Sequence, residues 1–162
     1  MSEEMDKIFE PQKFEGKIYK DWEEGGFFEA KVDFDKKPYT IMMPPPNATG
    51  VLHIGHVVFL SVSDAIVRYK RMKGLNVLWL PGTDHAAIAT QTKVEKIIAK
   101  EGLSRFDLGR EKFVERVKDY VENSRSTMKK QIRATGASCD WSREAYTFSD
   151  ELSVAVNTIL RA

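Results

Sequence analysis

Hydrophobic residues recur along the chain in two patterns, which predict short strands separated by helices. Residues 39–43 (YTIMM) and 76–80 (NVLWL) are short apolar runs next to proline, and each predicts a buried strand. Between them, apolar residues at helical spacing predict a helix from about Leu52 to Lys73. We expect its inner face to be formed by Val58, Val62, Ala65, Ile66, Tyr69 and Met72. Strand, helix and strand with this crossover length predict a parallel βαβ unit, and unbroken apolar strands favour a sheet covered on both faces.

The remaining periodicity is helical. We expect a short amphipathic helix within residues 11–28, ending at Gly25 and Gly26, and another over about 86–100, ending at Gly102. A last helix should begin at a Ser149 cap and run through Leu160. A longer helix is predicted over 110–134, with five apolar residues facing inward: Phe113, Val117, Val121, Met128 and Ile132.

Two strands are too few for an independent core. We therefore predict an α/β fold that is the first half of a Rossmann-like, doubly wound parallel sheet, helix-rich and truncated. Residues 1–38 would form an N-terminal helical extension and residues 39–102 a nucleotide-binding βαβ-α core. Residues 103–162 would be a helical segment leading toward a missing insertion.

Composition narrows the class only slightly. The chain has 162 residues, of which 42% are hydrophobic and 30% charged, with a formal charge of +1, as in an ordinary globular domain. A single cysteine, Cys139, excludes an internal disulfide and fits a reducing compartment. The acidic start lacks a signal-peptide core, and no apolar run has membrane-spanning length. We expect a cytoplasmic protein with no membrane partner.

The end of the first predicted strand carries an unusual segment, PPPNATGVLHIGH, at residues 44–56. The prolines form a stiff wall without N–H groups, and Thr49 or Gly50 can cap the helix that follows. The free N–H groups of a helix N-terminus attract phosphate. His53 and His56 share one face of that helix and can direct donors at such an anion, and Gly55 leaves room for a base or ribose. A purely structural, capping role for the histidines stays open.

The second predicted strand ends in LPGTDHAAIAT, which places Asp84 and His85 at the same edge of the sheet. All three histidines of the chain thus follow two adjacent strand ends. The Asp84 carboxylate could hold a substrate ammonium group, or it could cap the next helix. Zinc is a weaker alternative, because the chain has neither a CxxC pair nor an HExxH motif, and we predict no metal ligands.

The motifs in order resemble a known family. The string HIGH at 53–56 is similar to the first signature of class I aminoacyl-tRNA synthetases. PPPNATG together with GTDHAAIATQ resembles the valyl-tRNA synthetases of that class, as do LGREKF at 108–113 and GASCDWSRE at 136–144. The resemblance runs from about Pro11 to Leu152 and implies the N-terminal part of the catalytic domain, with the HUP-type form of the Rossmann-like sheet.

The resemblance implies ATP-dependent activation of valine, with Mg²⁺, followed by transfer to tRNA(Val). It makes His53 and His56 the catalytic contacts to the ATP phosphates, with Asn47, Thr49 and Gly55 also at the nucleotide. It places Pro44 and Pro45 around the valine side chain and Asp84 at the valine ammonium group, with Asn47 at the border of the amino-acid pocket.

Three departures from the family pattern and two alternatives remain. Ala87 stands where the family usually has glycine, the ending VNTILRA differs from the expected continuation, and no KMSKS-like segment is present. We therefore expect editing and anticodon-binding regions to be missing and the activity of the chain alone to be feeble.

The alternatives are a non-catalytic truncated paralogue, acting as a binding or assembly module through the charged helix at 110–134, and an enzyme with isoleucyl specificity.

Overall fold

A computed structural model describes residues 8–161 of the chain. Predictions that involve residues 1–7 and 162, at the two ends of the predicted domain, lie outside the described residues. The elements, in chain order, are α1 (Pro11–Glu24), β1 (Pro38–Met42), α2 (Ile54–Met72), β2 (Asn76–Leu80), β3 (Gly82–Thr83), α3 (Ala87–Lys100), α4 (Arg105–Ala134), a 3-10 turn (Trp141–Arg143), β4 (Ala145–Tyr146) and α5 (Asp150–Arg161).

The predicted βαβ unit is confirmed. β1 and β2 pair in parallel, with Pro38 opposite Asn76 and Met42 opposite Leu80, and α2 is the crossover between them. Trp79 on β2 has none of its surface exposed, and it belongs to the main hydrophobic cluster with Val67 of α2 and Ile132 of α4. The α/β, Rossmann-like class predicted from the sequence is therefore the observed one.

The predicted inner face of α2 is wrong, although the helix itself is present. All six residues assigned to that face are exposed, from Ile66 at 38% to Met72 at 86%: Val58, Val62, Ala65, Ile66, Tyr69 and Met72. The buried face instead carries Leu60, Ser63 and Val67. The helical spacing was predicted correctly, but the buried face was assigned to the wrong side of the helix. The reason is that polar side chains beside the buried face hydrogen-bond with the segment after α4.

Those polar contacts are specific. The Arg71 guanidinium donates to the Ser138 hydroxyl and carbonyl oxygens at 2.6 and 2.8 Å, and Arg68 donates to the Gly136 carbonyl at 2.7 Å. Asp64 accepts from the Ser138 backbone N–H at 2.8 Å. Partnered polar groups can lie inward at little cost, and no hydrophobicity pattern reports such partners.

The expectation of a sheet covered on both faces also fails in the described part of the chain. Exposure alternates along β1, and Met42 is 70% exposed whereas the next residue, Met43, is buried. An apolar run does not distinguish a strand buried on both faces from one whose second face is left open.

The long helix α4 is confirmed, with a break near its start. Gly109 has φ 74°, a left-handed conformation that separates the first turn from the predicted helix at 110–134. Four of its five predicted inward residues are buried and Val117 is half-buried, the four being Phe113, Val121, Met128 and Ile132.

A second, minimal parallel ladder was not predicted. Gly82 pairs with Ala145 and Thr83 with Tyr146, which brings the chain after the 3-10 turn alongside the end of β2. Each strand has two residues, too short for any periodicity in the sequence.

Candidate functional site

The two predicted loops meet at the carboxyl ends of β1 and β2. Asn47 and Asp84 form a parallel bridge, in which the Ala48 N–H donates to the Asp84 carbonyl at 2.7 Å and the Asp84 N–H donates to the Pro46 carbonyl at 2.9 Å. Ala48 and Pro46 are buried, whereas Pro44, Pro45 and Asn47 are exposed. The backbone thus fixes the proline wall against the loop that carries Asp84.

Helix α4 holds the same region from the other side. The Tyr120 hydroxyl donates to the Thr49 carbonyl at 2.8 Å, and the Gln131 side-chain oxygen accepts from the Leu52 N–H at 2.9 Å. These two bonds span 71 and 79 residues of sequence, and nothing in the local pattern around 120 or 131 indicated them. The stretch between the proline wall and α2 is therefore tethered at both ends to a rigid helix.

His53 and His56 cap the N-terminus of α2 in a reciprocal pair. The cap residue is His53, not Thr49 or Gly50, because its Nδ1 accepts from the Gly55 N–H at 3.1 Å. The His56 Nδ1 accepts in turn from the His53 N–H at 3.3 Å, and the ring centroids lie 4.0 Å apart. The structural role left open from the sequence is therefore real.

The capping bonds use only the Nδ1 atom of each ring, so the Nε2 atom of each ring stays free for a ligand. A neutral imidazole has one donor and one acceptor nitrogen, and in both rings Nδ1 is the acceptor. The proton of each neutral ring then lies on Nε2, which becomes a donor away from the backbone. Burial and repulsion from His53 lower the pKa of His56 below its usual 6.5, so that ring is neutral at about pH 7. Capping and anion binding are compatible in one geometry.

Two glycines permit these close approaches. A Cβ on Gly55 would lie 3.0 Å from Cε1 and 3.1 Å from Nδ1 of His53, so a side chain there would displace the ring from its hydrogen bond. A Cβ on Gly82 would lie 3.2 Å from the Ala145 carbonyl oxygen and 3.7 Å from the Pro45 Cβ, between β4 and the proline wall.

Asp84 does not cap α3 in the usual way. The N-cap of that helix is Ala86, a non-glycine residue at φ 47°, and Asp84 Oδ1 accepts from the Ala86 N–H at 2.8 Å. This bond supports the tight turn into α3 while the side chain stays about one-third exposed, at 37%. Ala87, the departure from the family pattern, is the exposed first residue of α3.

Several residues of the site were missed because they come from distant parts of the chain. Thr147 contacts both Asp84 and His85, and the Phe148 ring stacks on His85 with centroids 5.2 Å apart. Arg125 of α4 donates to the Thr83 hydroxyl and stacks over Tyr146, 4.0 Å from the ring centroid. The only signal in the sequence was the family-like segment ending at Glu144, immediately before β4.

The described residues offer no ready metal site. Within residues 8–161, no group of three or more His, Cys, Asp and Glu side chains is placed to hold a metal ion. The residues brought together here include one carboxylate, Asp84, whereas Mg²⁺ prefers several oxygen ligands. These side chains therefore do not fit a protein-bound Mg²⁺.

A separate cavity lies away from the strand ends. It has a volume of about 940 Å³ and lies between α1, the middle of α2 and the end of α4. Two arginine side chains that line this cavity already form ion pairs, Arg68 with Asp64 and Arg133 with Glu23. We therefore assign the candidate site to the strand ends, where Asp84 and the three histidines lie. No helix of the described segment is both long and apolar enough to cross a membrane.

Comparison with known proteins agrees with the motifs. The family "tRNA synthetases class I (I, L, M and V)" matches residues 17–162. The valine–tRNA ligase of Clostridium acetobutylicum is 53% identical over 157 residues, 97% of this chain and 18% of that protein. The chloroplastic/mitochondrial valine–tRNA ligase 2 of Arabidopsis thaliana is 54% identical over 142 residues, 88% of this chain and 15% of that protein. The chain therefore spans less than a fifth of the length of these relatives.

A solved structure shares the fold. The LeuRS of Agrobacterium radiobacter K84, in a ternary complex with tRNA and LeuAMS, superposes with a TM-score of 0.72 at 19% identity, over 94% of this chain and 18% of that one. The resemblance to valyl-tRNA synthetases, predicted from the HIGH string and four further motifs, is confirmed by relatives at about 50% identity over nearly the whole chain. The chain belongs to the class I tRNA synthetase family of the isoleucyl, leucyl, methionyl and valyl enzymes.

Proposed function

We propose that the chain forms the nucleotide- and amino-acid-binding part of a valine–tRNA ligase. In this reaction a valine carboxylate oxygen attacks the α-phosphorus of ATP, and pyrophosphate leaves. The valyl group then passes to tRNA(Val). The observation that carries the proposal is the junction of the proline wall with the Asp84 loop, beside a helix N-terminus with two imidazole donors.

The histidines would act on the phosphates. Negative charge develops on phosphate oxygens as the α-phosphorus is attacked, and fixed donors stabilise it without reorganisation. The Nε2–H groups of His53 and His56 are such donors, because both Nδ1 atoms are committed to backbone N–H groups. Gly55 would lie against the nucleoside, and Asn47 and Thr49 would border the nucleotide.

The second loop would hold the amino acid. Asp84 is a carboxylate with two backbone supports, the bridge to Asn47 and the bond from the Ala86 N–H. It would bind the valine ammonium group by a charge-assisted hydrogen bond. The exposed Pro44 and Pro45, beside Asn47, would contact the valine side chain.

Valine-dependent ATP–pyrophosphate exchange tests the proposal, together with NMR titrations of the chain with ATP and with valine. Because the chain spans less than a fifth of the length of its relatives, we expect weak binding and feeble exchange. His53→Ala and His56→Ala should abolish the shifts caused by ATP, while Lys118→Ala, on the exposed side of α4, should leave them unchanged. ATP shifts that survive both histidine changes would refute the assignment.

The same titrations separate the alternatives. A binding or assembly module would show no response to valine or ATP, with or without the histidines. An enzyme with isoleucyl specificity would respond to isoleucine in preference to valine. Exchange as fast as that of a complete valine–tRNA ligase would contradict the idea that this chain supplies only part of the site.

A further inference from the structure

The Thr147 hydroxyl lies between the two polar side chains of the second loop. Its oxygen is 3.1 Å from Asp84 Oδ1 and 2.6 Å from His85 Nδ1, and it also accepts from the His85 backbone N–H at 2.9 Å. Thr147 reaches this place through the short β3–β4 ladder, which continues with the Thr147 N–H donating to the Thr83 carbonyl at 3.2 Å. Residues 62 and 63 positions apart thus form one cluster.

The protons of this cluster can be assigned by counting. A hydroxyl has one proton to donate and two lone pairs that accept. One lone pair takes the His85 backbone N–H. The Asp84 carboxylate has no proton, so the hydroxyl proton must point to Oδ1, or two bare oxygen atoms would face each other at 3.1 Å. The second lone pair then requires a donor from the ring, and the His85 proton lies on Nδ1.

His85 therefore has the opposite tautomer to His53 and His56. Its neutral ring would present Nε2 as an acceptor, whereas His53 and His56 present Nε2–H donors. The His85 Nδ1 atom also lies 3.5 Å from Asp84 Oδ1, and a proton on Nδ1 would be attracted to that carboxylate. Stacking on Phe148 fixes the ring plane.

The hydrogen bonds to the Asp84 carboxylate therefore all reach one of its two oxygens, Oδ1. Oδ1 accepts from the Ala86 N–H and from Thr147, at 2.8 and 3.1 Å. For Oδ2, the hydrogen bonds and ion pairs within residues 8–161 include no partner. The Asp84 side chain is 37% exposed, and Oδ2 is the oxygen that we expect a ligand to meet.

We propose that Thr147 is a positioning residue of the amino-acid site, fixing the Asp84 carboxylate so that Oδ2 meets an α-ammonium group and holding His85 in its Nδ1–H tautomer. This inference rests on the proposed function for its ligand. It adds a residue that lies outside both the PPPNATGVLHIGH and LPGTDHAAIAT segments. This residue acts through Asp84 and not by touching the reacting atoms. The hydroxyl is what matters, so serine should replace threonine and valine should not.

The test uses two readouts on the chain, and the first needs no ligand. Long-range ¹H–¹⁵N spectra report which ring nitrogen of His85 is protonated, and ³J couplings report the Asp84 χ1 rotamer. We expect Nδ1–H and a single rotamer in the wild-type chain and in Thr147→Ser. In Thr147→Val we expect the tautomer to change and the rotamer to average. A wild-type His85 protonated on Nε2, or a Thr147→Val spectrum like the wild type, would overturn the inference.

The second readout is binding of three probes: valine, valinol, which keeps the ammonium group, and 3-methylbutanoate, which lacks it. Thr147→Val should weaken valine and valinol binding about tenfold, equivalent to about 1.4 kcal/mol. Thr147→Ser and the control Thr127→Val, whose hydroxyl bonds only its own helix, should bind as the wild type does. The 3-methylbutanoate should not bind any of them.

The outcomes separate the two proposals. A wild-type chain that binds neither valine nor valinol contradicts the proposed function, while the tautomer and rotamer still decide whether Thr147 holds Asp84 and His85. Normal valine binding by Thr147→Val, with an altered tautomer, overturns the positioning role itself.

Discussion

The Tyr120 hydroxyl donates a 2.8 Å hydrogen bond to the carbonyl oxygen of Thr49, across 71 residues of sequence. It links the middle of α4 to the loop between the proline wall and the histidine pair. The charged helix that the sequence offered as a possible binding module is thereby part of the support of the candidate site. The loop owes its position to α4 as well as to the sheet.

We expect Tyr120→Phe to weaken ATP binding more than it destabilises the chain. The lost bond is partly buried, and its removal should cost about 1 kcal/mol in the free energy of unfolding, the usual net contribution of one hydrogen bond. The nucleotide site should lose more, since the loop loses a fixed position. Urea unfolding and ATP titration on the same variant measure the two effects. Tyr69→Phe, at an exposed position on α2, is the matched control.

The pH dependence of stability should show the His56 environment. Its pKa is lowered from 6.5 in the folded chain by burial and by His53, so the unfolded chain binds the proton more tightly. Stability should therefore decline as the pH falls below about 6.5 and level off below the folded pKa. His56→Asn keeps an acceptor for the His53 N–H but cannot titrate, and it should flatten this part of the profile. Urea unfolding at several pH values checks the change, and equal slopes in both chains would contradict it.

Tyr19 joins α1 to the segment after α4 through a buried hydroxyl. It donates to the Ala137 carbonyl at 2.7 Å and accepts from the Trp141 indole N–H at 2.8 Å. Tyr19→Phe leaves both groups without this partner and should cost about 1–3 kcal/mol of unfolding free energy. Burial raises the pKa of the Tyr19 hydroxyl to about 12 and also raises the pKa of Tyr146, so ultraviolet titration below pH 11 should show at least one tyrosine fewer ionising than in the unfolded chain. A full count in the folded chain would contradict the burial.

Glu23 and Arg133 form a bidentate pair between α1 and α4, with N–O distances of 2.8 and 2.9 Å. Both side chains are 34% exposed, so we expect Glu23→Gln to cost only about 1 kcal/mol at neutral pH. The hydrogen bonds from Arg133 lower the pKa of Glu23 below 4.5, so this stabilisation is present above pH 4.5 and is lost as the pH falls through the folded pKa. Wild type and variant should converge in acid. Glu111→Gln, at an exposed position of α4, should show no such difference at any pH.

Cys139 should be chemically silent in the folded chain. None of its surface is exposed, and burial raises the pKa of its thiol to about 12. Since the thiolate is the reactive form, a maleimide should label it at neutral pH only as fast as the chain unfolds. Labelling with and without urea measures this, and rapid reaction without denaturant would show that the cluster around Trp79 opens on its own.

The elements of this chain follow from its sequence because their signals are local. Two apolar runs gave β1 and β2, and glycines marked the ends of α3 and α4 within a residue or two. The order of proline wall, HIGH string and GTDH loop placed the candidate residues at neighbouring strand ends, and the Asn47–Asp84 bridge joins those two loops. The order of the motifs along the chain and the parallel pairing of the strands are enough to predict these positions.

The tertiary structure determined the features that the spacing of apolar residues does not predict. Which face of α2 is buried depended on the bonds that Asp64, Arg68 and Arg71 make with Gly136 and Ser138, and the apolar side chains of that helix are left exposed. The histidine tautomers depended on backbone N–H groups meeting ring nitrogens, and Thr147 joined Asp84 through a ladder of two residues per strand. The spacing of apolar residues predicts the longer helices and strands of this chain, whereas hydrogen bonds between residues 60 or more positions apart leave no such pattern in the sequence.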